Sequence, residues 1–109
     1  MPLSIGGQRF SSGFGTHARS LIRVRLLHPG RVFEGGYGID DEGWKTARVR
    51  FRIRDDHRRV LLLSEPISYG AVHRFSVPLT GQRQLLLEVL PVGDNNNGAH
   101  VDWVELRVK

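Results

Sequence analysis

The sequence contains no cysteine in 109 residues, so no disulfide can staple the fold and no thiolate can hold a metal. No run of roughly eighteen apolar residues occurs, which excludes a membrane-spanning helix. The opening segment, Met1-Pro2-Leu3-Ser4-Ile5-Gly6-Gly7, lacks the basic stretch and apolar core of a signal peptide. Lysine is almost missing: Lys45 and Lys109 are the only two among 16 basic residues, the others being arginine. The formal net charge of +5 admits an anionic partner. Apolar stripes at helical spacing are also missing, so an amphipathic helix is not expected.

Signatures of catalysis and of bound phosphate are absent too. His17, His28, His57, His73 and His100 are scattered, with no pair one helical turn apart. There is no G-x-S-x-G elbow. Gly36-Tyr37-Gly38-Ile39-Asp40-Asp41 departs from G-x-G-x-x-G and precedes no helix. Asp40, Asp41 and Glu42 form an acidic triplet, and paired carboxylates can hydrolyse glycosides. Neighbours in sequence seldom flank a bond from opposite sides, so no catalytic residue is expected. Asp94, Asn96 and Glu105 fit the first, third and last ligand positions of an EF-hand loop. Ala99 stands where the sharp turn needs glycine, and the flanks read as strands. A calcium site made of loop carbonyls and one carboxylate in this stretch stays open.

What is present is a period of two. In Ala47-Arg48-Val49-Arg50-Phe51-Arg52-Ile53-Arg54, apolar and Arg residues alternate without a break, as a strand with one buried face requires. Ile22 to Leu26 repeats the pattern. Asp55-Asp56-His57 reads as a turn leading into Val60 to Leu63, which predicts a hairpin. Further strands are expected over Val72 to Val77, Gln84 to Leu90 and Val101 to Val108. Turns are expected at Pro29-Gly30, Gly35-Gly36, Thr80-Gly81 and Gly93 to Gly98. About seven to eight short antiparallel strands in a single domain over 1–109 indicate an all-β sandwich or jelly roll.

In the last strand Val104, Leu106 and Val108 share a face that the alternation turns inward, with Asp102 in phase. Trp103 then falls with the charged, outward set. A sugar ring offers an apolar C–H face to an aromatic ring, and its hydroxyls require planar polar side chains. Tyr37, Trp44 and Trp103 with His17, Asp40, Asp41, Asn96, His100 and Asp102 supply that mixture. The outward Arg face from Arg48 to Arg54 suits sulfated or uronic glycans through bidentate contacts. It holds no aromatic residue on which a base could stack, which disfavours nucleic acid.

Four segments resemble, in order, those of the NPCBM/NEW2 domain, a family of carbohydrate-binding modules. The first is Pro2-Leu3-Ser4-Ile5-Gly6-Gly7 with Phe10 and Gly13-Phe14-Gly15-Thr16-His17-Ala18-Arg19-Ser20. The second is Phe33 with Gly38-Ile39-Asp40-Asp41-Glu42. The third is Phe51-Arg52-Ile53 with Asp55-Asp56 and Ser64, and the last is His100-Val101-Asp102-Trp103. The resemblance implies a galactose-binding-like β-sandwich appended to secreted bacterial glycosidases. It implies ligands such as the galactose-containing glycans bound by members of carbohydrate-binding module family 51. It marks His17, Asp40, Asp41, His100, Asp102 and Trp103 as signature residues, and a structural calcium ion is common in this sandwich class. Family members carry a further strand before the first segment. An exposed edge able to pair with another chain is therefore expected here.

Three readings follow. The first is a non-catalytic carbohydrate-binding module, extracellular or at the cell surface, working beside other domains of a parent protein. The second is a structural or protein-interaction sandwich that self-associates as a homo-oligomer. The third is a polyanion- or nucleic-acid-binding domain.

Overall fold

The computed structural model describes residues 3–93 and 98–109. All secondary structure among these residues is extended, and every paired strand is antiparallel. There are eleven strands: β1 (Leu3–Ile5), β2 (Gln8–Phe10), β3 (Gly13–His17), β4 (Ser20–Arg25), β5 (Val32–Ile39), β6 (Arg48–Asp55), β7 (Val60–Leu63), β8 (Ile67–Ser68), β9 (His73–Pro78), β10 (Gln84–Pro91) and β11 (His100–Val108). The strands beyond the expected seven to eight include short ones, β1, β2 and β8, that carry too few residues to show an alternation. Among the described residues no helix is long and apolar enough to cross a membrane.

One sheet runs β4-β10-β6-β7, with β8 also on β6, and the other runs β3-β11-β5-β9. Their inner faces make the main core. Val49, Phe51 and Ile53 of β6 and Leu85, Leu87 and Val89 of β10 are fully buried against Phe33, Tyr37, Ile39, Val101 and Trp103. Aromatic rings fill its centre. Tyr37 stacks on Phe51 at 4.4 Å between centroids, and Trp103 meets Phe51 edge-on at 5.0 Å. The β6–β7 hairpin closes as the alternation predicts. Buried Asp55 at its start accepts hydrogen bonds from the His57 and Arg59 amides, both 2.9 Å, and pairs with the Arg59 guanidinium at 3.0 Å.

β1 and β2 form a two-residue hairpin on Gly6-Gly7, both at positive φ, as this tight turn requires. The hairpin lies on the outer face of the second sheet. There Ile5 and Phe10 bury Val104 in a second, smaller cluster with Leu3 and Val72.

Two expectations are overturned. Gly35-Gly36 is not a turn: β5 passes straight through both. A Cβ on Gly35 would stand 2.7 Å from Leu106 Cδ2, and one on Gly36 would stand 3.2 Å from Val104 Cγ2. The glycines are there for close approach to β11. The phase of β11 is also reversed. Its register to β5 slips between Val104 and Arg107, and Glu105 sits at φ 51°, the signature of a bulge. Before the bulge Val101 and Trp103 point into the main core while Asp102 and Val104 face the hairpin. After it Leu106 packs back against the core. Reading the strand as one unbroken alternation put Trp103 on the wrong face.

Candidate functional site

At one end of the second sheet a cleft of about 470 Å³ opens between β1, β3, β11 and the segment that follows β5. Its floor is made by subtraction. Asp102 lies opposite Gly15 on β3 and Gly38 on β5, so no side chain flanks it on either neighbouring strand. A Cβ on Gly15 would come within 3.5 Å of Asp102 Oδ1 and 3.3 Å of Leu3 Cδ2. Two residue pairs along, His17 and His100 face each other across the β3–β11 ladder and are both exposed. Directly opposed residues project from the same face, so the two imidazoles form one wall. Asp40, Glu42 and Leu3 of the hairpin also line the cleft.

The Asp40–Glu42 segment is held by the backbone. The Asp40 amide donates to the His100 carbonyl at 3.1 Å, and the Asp41 amide to the Ser4 carbonyl at 2.7 Å. Asp40 Oδ1 accepts the Glu42 amide at 2.8 Å. Asp41 faces the hairpin: its Oδ2 accepts the Ser4 hydroxyl and, at 2.9 Å, the Gly7 amide.

Asp40 and Asp102 interact directly, and their environments drive them apart. Burial pushes the Asp102 carboxyl up to about 8, and hydrogen bonding and charge from Asp40 add to it. Burial acts in the same direction on Asp40. There it is outweighed by hydrogen bonds from Asp102, the Glu42 amide and the Ser4 amide and by the nearby His100, so Asp40 lies below its usual value. Asp102 is 1% exposed, and its Oδ2 faces no donor among the described residues. A protonated Asp102 that donates to an ionised Asp40 resolves both facts: the orphan oxygen becomes a donor, and one charge is buried instead of two. Carboxyls in hydrogen-bond contact stand far closer than the roughly 5 Å a retaining glycosidase needs.

The sequence candidates separate into five groups. His17, Asp40, His100 and Asp102 line the cleft. Asp41 borders it but spends its carboxylate on the hairpin. Trp44 is half-exposed on the segment that also carries Asp40 and Glu42, outside the cleft lining. Tyr37 and Trp103, expected to face a sugar, are corrected to core residues at 6% and 0% exposure. Trp103 is buried without a hydrogen-bond partner for its indole N–H among the described residues. Asn96 lies outside the described residues. Leu3, Gly15, Thr16 and Glu42 join the site without having been picked out. Glu42 stood in the acidic triplet and was weighed there only as a catalyst.

The calcium expectation rested on residues 94–98, of which 94–97 lie outside the described residues. Among the described residues no three His, Asp or Glu side chains gather to hold a metal ion.

The profile of the NPCBM/NEW2 domain matches residues 1–109. An alpha-1,3-galactosidase B of Akkermansia muciniphila is 39% identical over 98% of the chain, which spans only 14% of that relative's length. The CBM51 module of a Clostridium perfringens GH95 protein, solved in complex with methyl-galactose, superimposes with a TM-score of 0.82. It is 24% identical, over all of this chain and 79% of that one. The second CBM51 module of Clostridium perfringens ZmpB, solved with GlcNAc, gives 0.81 at 22% identity, over 99% of this chain and 24% of that one.

Proposed function

From the premise that the chain belongs to the NPCBM/NEW2 family of carbohydrate-binding modules, we propose that it is a non-catalytic module that binds a galactose-type terminal sugar in the cleft beside Asp102. One observation carries the reading: a water-accessible pit floored by a carboxyl between two glycines and walled by two imidazoles and two more carboxyls. The carboxyl oxygens of Asp40 and Glu42 accept from sugar hydroxyls, and His17 and His100 donate or accept. The volume lies in the range of small-molecule pockets. Trp44, two residues beyond Glu42, is the exposed aromatic face nearest in sequence on which the sugar's C–H face can pack. Galactose is favoured because the 39%-identical relative is named an alpha-1,3-galactosidase and the superimposed GH95 module was solved with methyl-galactose. Residues 1–109 are proposed as one module of a larger extracellular bacterial protein, as the 14% coverage of that relative suggests. Its role would be to keep that protein near its glycan.

The test is calorimetric titration of the chain with galactose-terminated oligosaccharides, alongside His100→Ala and Trp44→Ala. Both side chains are solvent-exposed, so the fold should survive their loss. Affinity should be modest, since little net energy remains after desolvating such a site. It should fall about tenfold or more in each variant, the loss of one charged or aromatic contact. Unchanged affinity in both variants would remove the cleft from the account, and a folded chain that binds no galactoside would end the galactose assignment.

A further inference from the structure

The solvent face of the β4-β10-β6-β7 sheet carries an unusual density of one charge. Arg23 and Arg25 project from β4, and Arg48, Arg50, Arg52 and Arg54 from β6. Among the described residues of these three strands one acidic residue, Glu88 on β10, lies between the arginines on this face. Glu88 is nearly buried and is used twice. Arg52 grips it with Nε at 3.0 Å and Nη2 at 2.8 Å, and Arg54 Nε donates to it at 2.6 Å. Burial opposes its ionisation, but the two arginines outweigh burial and hold it below its usual value. Its effect is to lay Arg52 and Arg54 along the sheet while leaving the face strongly positive. Arg23, Arg25 and Arg50 meet no carboxylate among the described residues.

We propose that this face is a second ligand surface, which takes a sulfated glycan chain laid along β6 on the far side of the core from the cleft. Successive outward arginines of a strand recur about every 7 Å, so Arg48 to Arg54 make a track of about 20 Å. Arg23 extends it sideways, lying in register with Leu86 and Arg54. Guanidinium forks match oxyanions bidentately and are only weakly hydrated, which suits densely spaced sulfates. Between the arginines the face is aliphatic, with Leu21, Leu86 and Leu90. It offers no ring on which a nucleobase could stack, which favours a sulfated glycan over single-stranded nucleic acid. The proposal is independent of the cleft, since a double layer of buried side chains separates the two.

The purified chain is titrated at physiological salt with heparin and chondroitin sulfate. Hyaluronan serves as the unsulfated polyanion and oligodeoxythymidine as the nucleic acid. The sulfated chains should bind, with affinity falling steeply as salt is raised. Loss of two unpaired guanidinium contacts in the Arg23→Ala/Arg50→Ala double variant should weaken binding about tenfold or more. The same binding should be unaffected by His100→Ala, which reports on the cleft alone. Melting temperature checks that the double variant is folded. The proposal is overturned by no binding to either sulfated chain, by binding that survives the double variant, or by equal affinity for hyaluronan or oligodeoxythymidine.

Discussion

Replacing Asp102 with Asn should make the protein more stable at pH 8 and should flatten its pH dependence. In the folded chain the Asp102 carboxyl is pushed from the ordinary 3.8 up to about 8. Between those values the unfolded chain has lost a proton that the folded chain keeps. Stability from this group is therefore complete below pH 4 and drains away as pH rises toward 8. The slope is at most about 1.4 kcal/mol per pH unit, or about 4 kcal/mol from pH 5 to pH 8. The cleft admits water, so about half that ceiling is the expectation. Asp40 runs the other way: its lowered value gives stability that is present above pH 4 and lost below it. His17, His100, Asp41 and Glu42 also border the pair, and they remain in the variant. The difference between the two proteins isolates Asp102. The Asn amide can donate to Asp40 as the protonated carboxyl does, without a proton to lose. Urea denaturation at pH 5, 6, 7 and 8 should show the Asn variant gaining on the parent by about 2 kcal/mol across the series. A constant difference, or an Asn variant less stable at pH 8, would mean that Asp102 is ionised in the folded chain and that the proton-sharing pair does not exist.

Gly38→Ala should destabilise by about 1–3 kcal/mol in urea, the range for overpacking. Its Cβ would stand 2.7 Å from Ile5 Cγ2 and 2.8 Å from the Ala71 carbonyl, which is backbone. Gly15→Ala meets contacts of 3.3 and 3.5 Å and should leave the melting temperature near that of the parent while lowering galactoside affinity. Trp103→Ala should cost about 3–5 kcal/mol as a core cavity. A loss of glycan affinity at unchanged stability would instead return Trp103 to the ligand. Glu88→Gln should lower stability by about 1–3 kcal/mol, because two part-buried guanidiniums lose their charged acceptor. The same change should tighten heparin binding, and weaker heparin binding would count against the Arg face.

The alternation in β6 and β4 was legible because both strands are regular and one face of each is the more buried. The β6–β7 hairpin followed from Asp55, whose side chain organises the turn that its sequence signals. Three things were not legible. The glycines of β5 read as a turn, because close approach to another strand leaves no mark in the local pattern. The bulge at Glu105 hid the true phase of β11, since Glu105 is not the glycine that usually announces a positive φ. Asp102 and Asp40 lie far apart in sequence, and only the pairing of β11 with β5 brings them together. The resemblance to NPCBM/NEW2 segments pointed at these residues, but it carried Trp103 along with them. A signature residue can serve the core as readily as a ligand.

The bulge also explains why this sandwich has a site at all. Without it, β11 could send Leu106 to the core only by turning Trp103 away from Phe51 and Tyr37. With it, one strand serves two masters in sequence. Val101 and Trp103 fill the interior, His100, Asp102 and Val104 face the hairpin, and Leu106 returns to the core past Gly35. The outward-facing stretch would be solvent-covered sheet if β1 did not lie across part of it. Ser4 of the hairpin reaches Asp102 and Ile5 covers Gly38, while Gly15 leaves the other flank of that carboxyl without a side chain. A methyl group on Gly15 would approach Leu3 at 3.3 Å and Asp102 Oδ1 at 3.5 Å and begin to fill the cleft, whereas one on Gly38 would meet Ile5 and the Ala71 carbonyl instead. His17, His100 and Glu42, exposed around the cleft, and Trp44, exposed outside its lining, are free to change with little consequence for the fold.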